Sequence, residues 1–278
     1  MNLSVIIPTC HRNALLAKCL DCLKPGVQTL TPDQYEVIVS DDGSQSTAEQ
    51  MVREQYPWVR WTEGPRRGPA ANRNHGARQA RGRWLAFTDD DCLPTAGWLG
   101  AFAQASKERG TRIFEGKTTC EAGISSPLYE APVNLEGGQL WSCNFLIHAD
   151  LFIEMGGFDE DYIFYMEDVD LGERLRMRNE ITYFVGEAIV DHPPRRRPSG
   201  YKKGQTFEVR VQHWYKTSQK RPLFVPFLQH VKHRIYEISK FKPSRDAALA
   251  LASLAFETGY VATHLTAWRK KYRGSLRR

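Results

Sequence analysis

Three observations in the sequence predict an α/β fold, a mostly parallel Rossmann-like sheet with helices on both faces. The first 95 residues alternate short β-branched runs with stretches of helical spacing, in the order β-α-β-α-β. Each main run ends in a polar cluster: Pro8-Thr9, Asp41-Asp42 and Asp89-Asp90-Asp91. In parallel sheets such ends converge on one ligand crevice. A composition of 41% hydrophobic and 25% charged residues over 278 positions is that of an ordinary globular protein.

Leu3 to Ile7 is a β-branched run closed by Pro8, and Asn13 to Leu23 has helical spacing that stops near Pro25-Gly26. Tyr35 to Val39 reads as the second strand, ended by Ser40-Asp41-Asp42-Gly43-Ser44. Thr47 to Gln55 reads as a helix, Val59 to Trp61 as a short strand and Gly68 to Ala80 as a helix rich in Ala and Arg. Trp84 to Thr88 is a buried strand, and Pro94 is expected to stop it from continuing. Beyond residue 95 the alternation is less regular. Trp98–Arg109, Asp150–Met155 and Met166–Arg178 read as helices, while Cys143–Ile147 and Thr182–Val185 read as strands. Gly156-Gly157-Phe158-Asp159 reads as a turn that allows close backbone approach. Arg195 to Gly204 reads as a mobile basic loop, followed by helices around 205–218, 223–240 and 244–270. The expected organisation is a domain over 1–204, with halves 1–95 and 96–204, and a basic helical region over 205–278.

The net charge of +6 is unevenly distributed: residues 195–278 carry 20 Lys/Arg against four Asp/Glu. A basic tail on an acidic body points to an anionic partner, lipid headgroups or nucleic acid. Ala247 to Trp268 is the longest weakly polar stretch, but Glu257, Thr258 and His264 interrupt it, so no membrane span is expected. Of the six cysteines, Cys19 and Cys22 form a C-x-x-C without a second pair and fit buried helix positions better than a zinc site. Reduced thiols and no signal-peptide pattern predict a cytoplasmic chain.

The densest chemical signal is Asp89-Asp90-Asp91. Three acids at a strand end repel unless a cation sits among them, and Mg²⁺ or Mn²⁺ prefers carboxylate oxygen. Taken alone, the same residues also read as a solvated acidic turn. Asp42 at a strand end is placed to accept from an imide N–H or a ribose hydroxyl; a turn and helix cap is the alternative. Glu167-Asp168 opens a helix, where the dipole favours anions.

Ser4-Val5-Ile6-Ile7-Pro8-Thr9, Val37-Ile38-Val39-Ser40-Asp41-Asp42-Gly43-Ser44, Gly68 to Gly76, Phe87 to Asp91, Gly156-Gly157-Phe158-Asp159 and Glu167 to Leu171 follow one another in order. Together they resemble the family 2 glycosyltransferases of the GT-A fold, over roughly residues 2–195. The resemblance implies an inverting, metal-dependent transfer from a nucleotide-diphospho-sugar donor to a carbohydrate or lipid-linked acceptor, as in cell-surface polysaccharide or glycolipid assembly. It implies that Pro8, Thr9, Arg12, Asp41, Asp42 and Asp90 line the nucleoside pocket and that Arg73 faces the diphosphate. Asp89, Asp91 and His192 would hold Mn²⁺ or Mg²⁺, and Asp168 would be the general base. Trp141, Asn144, Asp159 and Glu167 are candidates for the sugar and acceptor side. His192 also reads as a structural histidine beside a proline turn, Trp141 as a core tryptophan and Arg73 as a surface arginine.

Cys10-His11 stands where the family more often has Tyr-Asn, which removes a base-stacking aromatic. The basic C-terminal region, with its apolar helix and Arg269-Lys270-Lys271-Tyr272-Arg273, suggests peripheral attachment to an anionic membrane at the inner face of the cell; a solvated helical subdomain or a dimer interface is the alternative. Two other readings compete with this one. A sugar nucleotidyltransferase would need a glycine-rich loop that Pro8 to Arg12 lacks, and a nucleic-acid-binding protein would need a motif that is absent.

Overall fold

A computed structural model of the chain describes residues 2–217 and 224–272. It divides into two compact units: Met1–Glu121 with Pro132–Pro193, and Ala122–Ala131 with Pro194–Arg278.

The first unit contains β1 (Leu3–Thr9), α1 (Asn13–Cys22), β2 (Tyr35–Asp41), α2 (Glu49–Gln55), β3 (Val59–Glu63), α3 (Pro69–Arg78) and β4 (Trp84–Phe87). It continues through β5 (Leu93–Pro94), α4 (Trp98–Glu108) and β6 (Ile113–Thr119). The second unit's β7 (Tyr129–Glu130) intervenes, and the first then resumes with β8 (Phe145–His148), α5 (Ala149–Glu154), α6 (Glu167–Met177) and β9 (Thr182–Asp191). One eight-stranded sheet forms in the order β3-β2-β1-β4-β8-β6-β9-β5. Strands β3, β2, β1, β4, β6 and β9 run one way, and β8 and β5 run against them. Alternation along each strand feeds two cores. Leu3, Val5 and Ile7 of β1 join Val37 and Val39 under α1, α2 and α4. Ile6 joins Ile38, Leu85 and Phe87 against α3, α5 and α6. The chain runs outward from β1 through β2 to β3, then returns to place β4 on the other side of β1. That reversal is the switch point at which such sheets bind ligands.

Several expectations are corrected. The buried run ends at Phe87, before any proline, and Leu93–Pro94 itself pairs with Val190 and Asp191. Proline is tolerated there because β5 is an edge strand. β6 was not expected, because Glu115 and Lys117 break its apolar pattern; yet Glu115 is buried and accepts from Gly138 N–H, Gln139 N–H and Asn134 Nδ2. Cys19 is buried but Cys22 only half-buried, and all six cysteines are free thiols.

The second unit holds β7, β10 (Arg195–Arg196), α7 (Gly200–Lys216), α8 (Phe224–Ser239) and α9 (Arg245–Tyr272). The expected mobile loop over 195–204 is instead a strand paired with β7, followed directly by α7. Glu130 explains the order: its carboxylate accepts from Arg197 at 2.7 Å and Lys203 at 2.9 Å, so the basic run is anchored by charge. Phe207, Val211 and Tyr215 of α7 pack on Val261 and Trp268 of α9, and Ile238 of α8 packs on Ala247, Ala250 and Leu254. No helix among the described residues is long and apolar enough to cross a membrane. Residues 218, 223 and 273, which fell within expected helical or basic segments, lie outside the described residues.

Candidate active site at the sheet switch point

β1 delivers Pro8 and Thr9 to the crevice. His11 then turns the chain in the left-handed region at φ 56°, and Arg12 stands at the start of α1. β4 delivers Thr88, and a turn closed by Cys92 N–H on the Asp89 carbonyl presents the three carboxylates. Across the switch point, the Thr9 hydroxyl donates to Asp90 Oδ2 at 2.7 Å. Arg12 bridges Asp90, at 2.9 Å, and Asp91. Burial pushes the Asp90 carboxyl up to about 7, against the opposing pull of Arg12 and Thr9.

Arg73 forms the second node. It is buried on α3, donates to Asp89 at 2.6 Å and Glu167 at 2.8 Å, and lies 5.8 Å over the Phe158 ring. Burial opposes its charge, but Asp89 and Glu167 together outweigh that and raise its pKa. Phe158 is placed by the double-glycine turn. Gly157, at φ +72°, approaches Asn74, whose side chain accepts from Phe158 N–H and donates to Phe158 C=O. A Cβ at Gly157 would lie 2.6 Å from Asn74 Oδ1, so this close approach requires glycine.

Asp168, partly buried at the start of α6, accepts from Ser142 N–H at 3.3 Å and Val169 N–H at 2.8 Å. Burial raises its pKa, with those N–H groups and Arg73 pulling the other way; burial likewise raises Glu167 against Arg73. The two adjacent acids thus differ in partner, Glu167 a guanidinium and Asp168 backbone amides.

His192, just past β9, is buried with Nε2 3.5 Å from Asp91 Oδ1. Its Nδ1 lies 2.9 Å from the Pro193 carbonyl, which can only accept, so Nδ1 carries a proton. Nε2 is thus the ring nitrogen that faces the Asp91 carboxylate, an arrangement that a divalent cation would suit. Among the described residues, Asp91, Cys92 and His192 have ligand atoms within 4.8 Å of one another. Cys92 is a poor member for a hard cation, because burial raises its pKa well above an ordinary thiol's, with Cys143 alongside. Asp91 and His192 form an oxygen–nitrogen donor set that fits Mn²⁺ or Mg²⁺. Asp89, Asp90, Asp91, Glu167 and Asp168 gather around the guanidiniums of Arg12 and Arg73.

Other expected site residues have different surroundings. Asp41 accepts from Gly43 N–H, Ala48 N–H and Trp61 Nε1, and so organises the loop into α2. Asp42 accepts from Arg66 N–H at 2.8 Å, and burial raises its pKa. Asn144 is buried in the sheet, accepting from Trp98 Nε1 at 2.8 Å and donating to the Lys117 and Ala188 carbonyls. Trp141 packs partly buried against the core, and Asp159 accepts from Asp161 N–H. The sequence did not reveal that Arg12 contacts the acid cluster or that Ser142 N–H holds Asp168. Arg12's place directly after the first strand end was the available signal. Asn144→Ala should lower stability by about 2–3 kcal/mol, because Trp98 Nε1 and two carbonyls lose buried partners. Denaturant melts would measure the loss, and nucleotide binding should not change.

A parallel-sheet switch point lined with acids, two arginines and a histidine is a setting for an anionic ligand with a cation, in a sheet of the GT-A architecture. Residues 4–120 match the model of glycosyl transferase family 2. Glycosyltransferase AglE of Haloferax volcanii is 27% identical over 228 residues, covering 76% of this chain and 73% of that protein. Validoxylamine A glucosyltransferase of Streptomyces hygroscopicus subsp. limoneus is 42% identical over 216 residues, 62% of this chain and 47% of its own length. A Campylobacter jejuni GalNAc(5)-diNAcBac-PP-undecaprenol beta-1,3-glucosyltransferase is 31% identical over 117 residues, 40% and 37% of the two chains. The chain thus spans less than half the length of these last two. In three dimensions it is similar to a mannosyltransferase of Pyrobaculum calidifontis solved with GDP-Man and Mn²⁺, at TM-score 0.57 and 20% identity over 99% of this chain and 83% of that one. Over residues 4–120 the chain is thus similar to the family 2 glycosyltransferases, and its fold is that of the solved mannosyltransferase.

Proposed function

We propose that the first unit transfers a sugar from a nucleotide-diphospho-sugar to an acceptor hydroxyl in one inverting displacement. The observation that carries this reading is the linked array at the switch point, Thr9-Asp90-Arg12-Asp91-His192 on one side and Asp89-Arg73-Glu167 on the other.

Each residue has a distinct task in this reading. Asp91 and His192, with Asp89 nearby, hold a divalent cation that neutralises charge on the departing nucleoside diphosphate. Arg73 faces the diphosphate from the buried side, already oriented by Asp89 and Glu167. Pro8, Thr9, Arg12, Asp42 and Asp90 receive the nucleoside. Asp41 supports them through the loop it organises. Asp168 takes the proton from the acceptor hydroxyl as that oxygen attacks the anomeric carbon, and Glu167 stays paired to Arg73. Trp141 and Asp159 remain the sugar- and acceptor-side candidates. The Campylobacter relative is named for an undecaprenol-linked acceptor and the Streptomyces relative for validoxylamine A. The basic second unit favours the lipid-linked class, used by a protein held peripherally at the inner face of the membrane.

A thermal-shift panel of UDP-, GDP-, dTDP- and CDP-sugars with Mn²⁺ tests the donor assignment. One nucleotide class should raise the melting temperature by several degrees, since ligand at about 100-fold its Kd adds about 2.7 kcal/mol. A flat panel would reject the donor site.

A further inference from the structure

We infer that the outer face of α8 is the membrane-contact surface of this chain, lying on an anionic lipid bilayer; the inference rests on the proposed membrane-held acceptor. Helix α8 is two-sided. Arg234 and Ile238 are buried inward, Ile238 against α9. On the opposite side, at spacings of four, three and one residues, stand Leu228, Lys232, Ile235 and Tyr236. Leu228 is 57% exposed, Ile235 50% and Tyr236 60%. Lys232 and His233 are exposed on the same helix, and Lys240 lies just past its end with Nζ 4.6 Å from the Tyr236 ring centre. Large apolar side chains interleaved with lysines, and a tyrosine between them, are what an interfacial helix presents to headgroups.

Charge selects the partner. Every acid of the second unit is engaged inside it: Glu130 by Arg197 and Lys203, Glu208 by Lys271, Glu237 by Lys240 and Arg197, Asp246 by Ser126 and Glu257 by His230. The exposed ionic groups around α8 and α9 are therefore mainly basic, including Lys232, Lys242, Arg245, Arg269 and Lys270. A second copy of so basic a unit would be repelled, whereas an anionic surface is attracted. In α9, Ala247, Ala250, Leu254, Val261 and Trp268 are buried, while Leu249, Leu251 and Phe256 stay exposed. The α8 face is set apart by Lys232, His233 and Lys240 standing beside its exposed apolar groups.

The test uses the full chain and vesicles of phosphatidylcholine with or without phosphatidylglycerol. Wild type should partition onto the anionic vesicles. The triple variant L228S/I235S/Y236S should bind more than about tenfold more weakly, and K232Q about fivefold more weakly, from the loss of buried apolar area and of one lysine near the surface. All four positions are exposed, so melting temperatures and the nucleotide-sugar thermal shift should be unchanged. Equal partitioning of wild type and triple variant would overturn the inference. So would light scattering that shows a wild-type dimer dispersed by the triple variant without vesicle binding, since the face would then join two copies. If vesicle binding fails while a nucleotide-sugar still shifts the melt, only this inference falls. If vesicles bind through α8 and no nucleotide-sugar acts, the proposed donor falls and the surface stands.

Discussion

Asp91→Asn should lower metal-dependent turnover by about 10³-fold or more and abolish Mn²⁺ binding in an electron paramagnetic resonance titration. The substitution keeps shape and removes one charge. Asp91 is the residue on which the crevice converges: one oxygen meets Arg12, and the other lies 3.5 Å from His192 Nε2. Without the charge, His192 and Asp89 cannot balance a divalent cation, and Arg12 keeps only Asp90. The fold should not suffer. Asp89, Asp90 and Asp91 are consecutive carboxylates, and removing one relieves mutual repulsion, so the melting temperature should hold or rise. A folded Asp91→Asn protein with wild-type Mn²⁺-dependent turnover would remove Asp91 from the metal site.

The resting role of Arg12 bears on the same result. Its guanidinium bridges Asp90 and Asp91, the acids assigned to the nucleoside and the cation. It neutralises part of the cluster before ligand arrives, which lets so many carboxylates share a buried site. A lysine would reach only one of them as a point charge; the planar guanidinium spans both.

The parallel half of the sheet was legible because its strands are short apolar runs ended by Pro or Asp, and β1, β2 and β4 meet the crevice where the clusters predict. β6 was not legible. Its Glu115 looks like a surface residue in sequence, but in the fold it caps a loop through three hydrogen bonds that sequence spacing does not encode. The same holds for 195–204, where the partner that orders the basic run, Glu130, is 65 residues upstream of Arg195. Among site residues, the acids were readable as a cluster, while their partners were not. The Thr9–Asp90 and Arg73–Glu167 contacts join positions 81 and 94 residues apart, and only the topology of the sheet brings them together.

Asp168→Asn should leave donor binding intact and lower the transfer rate by about 10²–10⁴-fold, the span of general-base catalysis. The geometry separates it from its neighbour. Glu167 is tied to Arg73, so its charge is committed to orienting the guanidinium; Asp168 is held by two backbone N–H groups, which fix its position and leave it able to take a proton. Asparagine's single oxygen can replace only one of the two carboxylate oxygens that accept these N–H groups, so a structural cost would show as a lowered melting temperature at every pH, separate from the loss of rate. The pH profile gives the second readout. Burial raises the Asp168 pKa, and a base works only when ionised, so the wild-type rate should climb with pH through a range above that of an ordinary aspartate. In Asp168→Asn that acid limb should disappear from the residual rate. Stability should move oppositely. A carboxyl whose folded pKa is raised favours the native state while protonated, below its unfolded pKa, and loses that contribution as pH rises through the folded pKa. The asparagine variant lacks this pH-dependent loss, so its melting temperature relative to wild type should rise as pH increases. Parallel rate and melting profiles of the two proteins would check both signs, and a variant with wild-type rate and an unaltered acid limb would exclude Asp168 as the base.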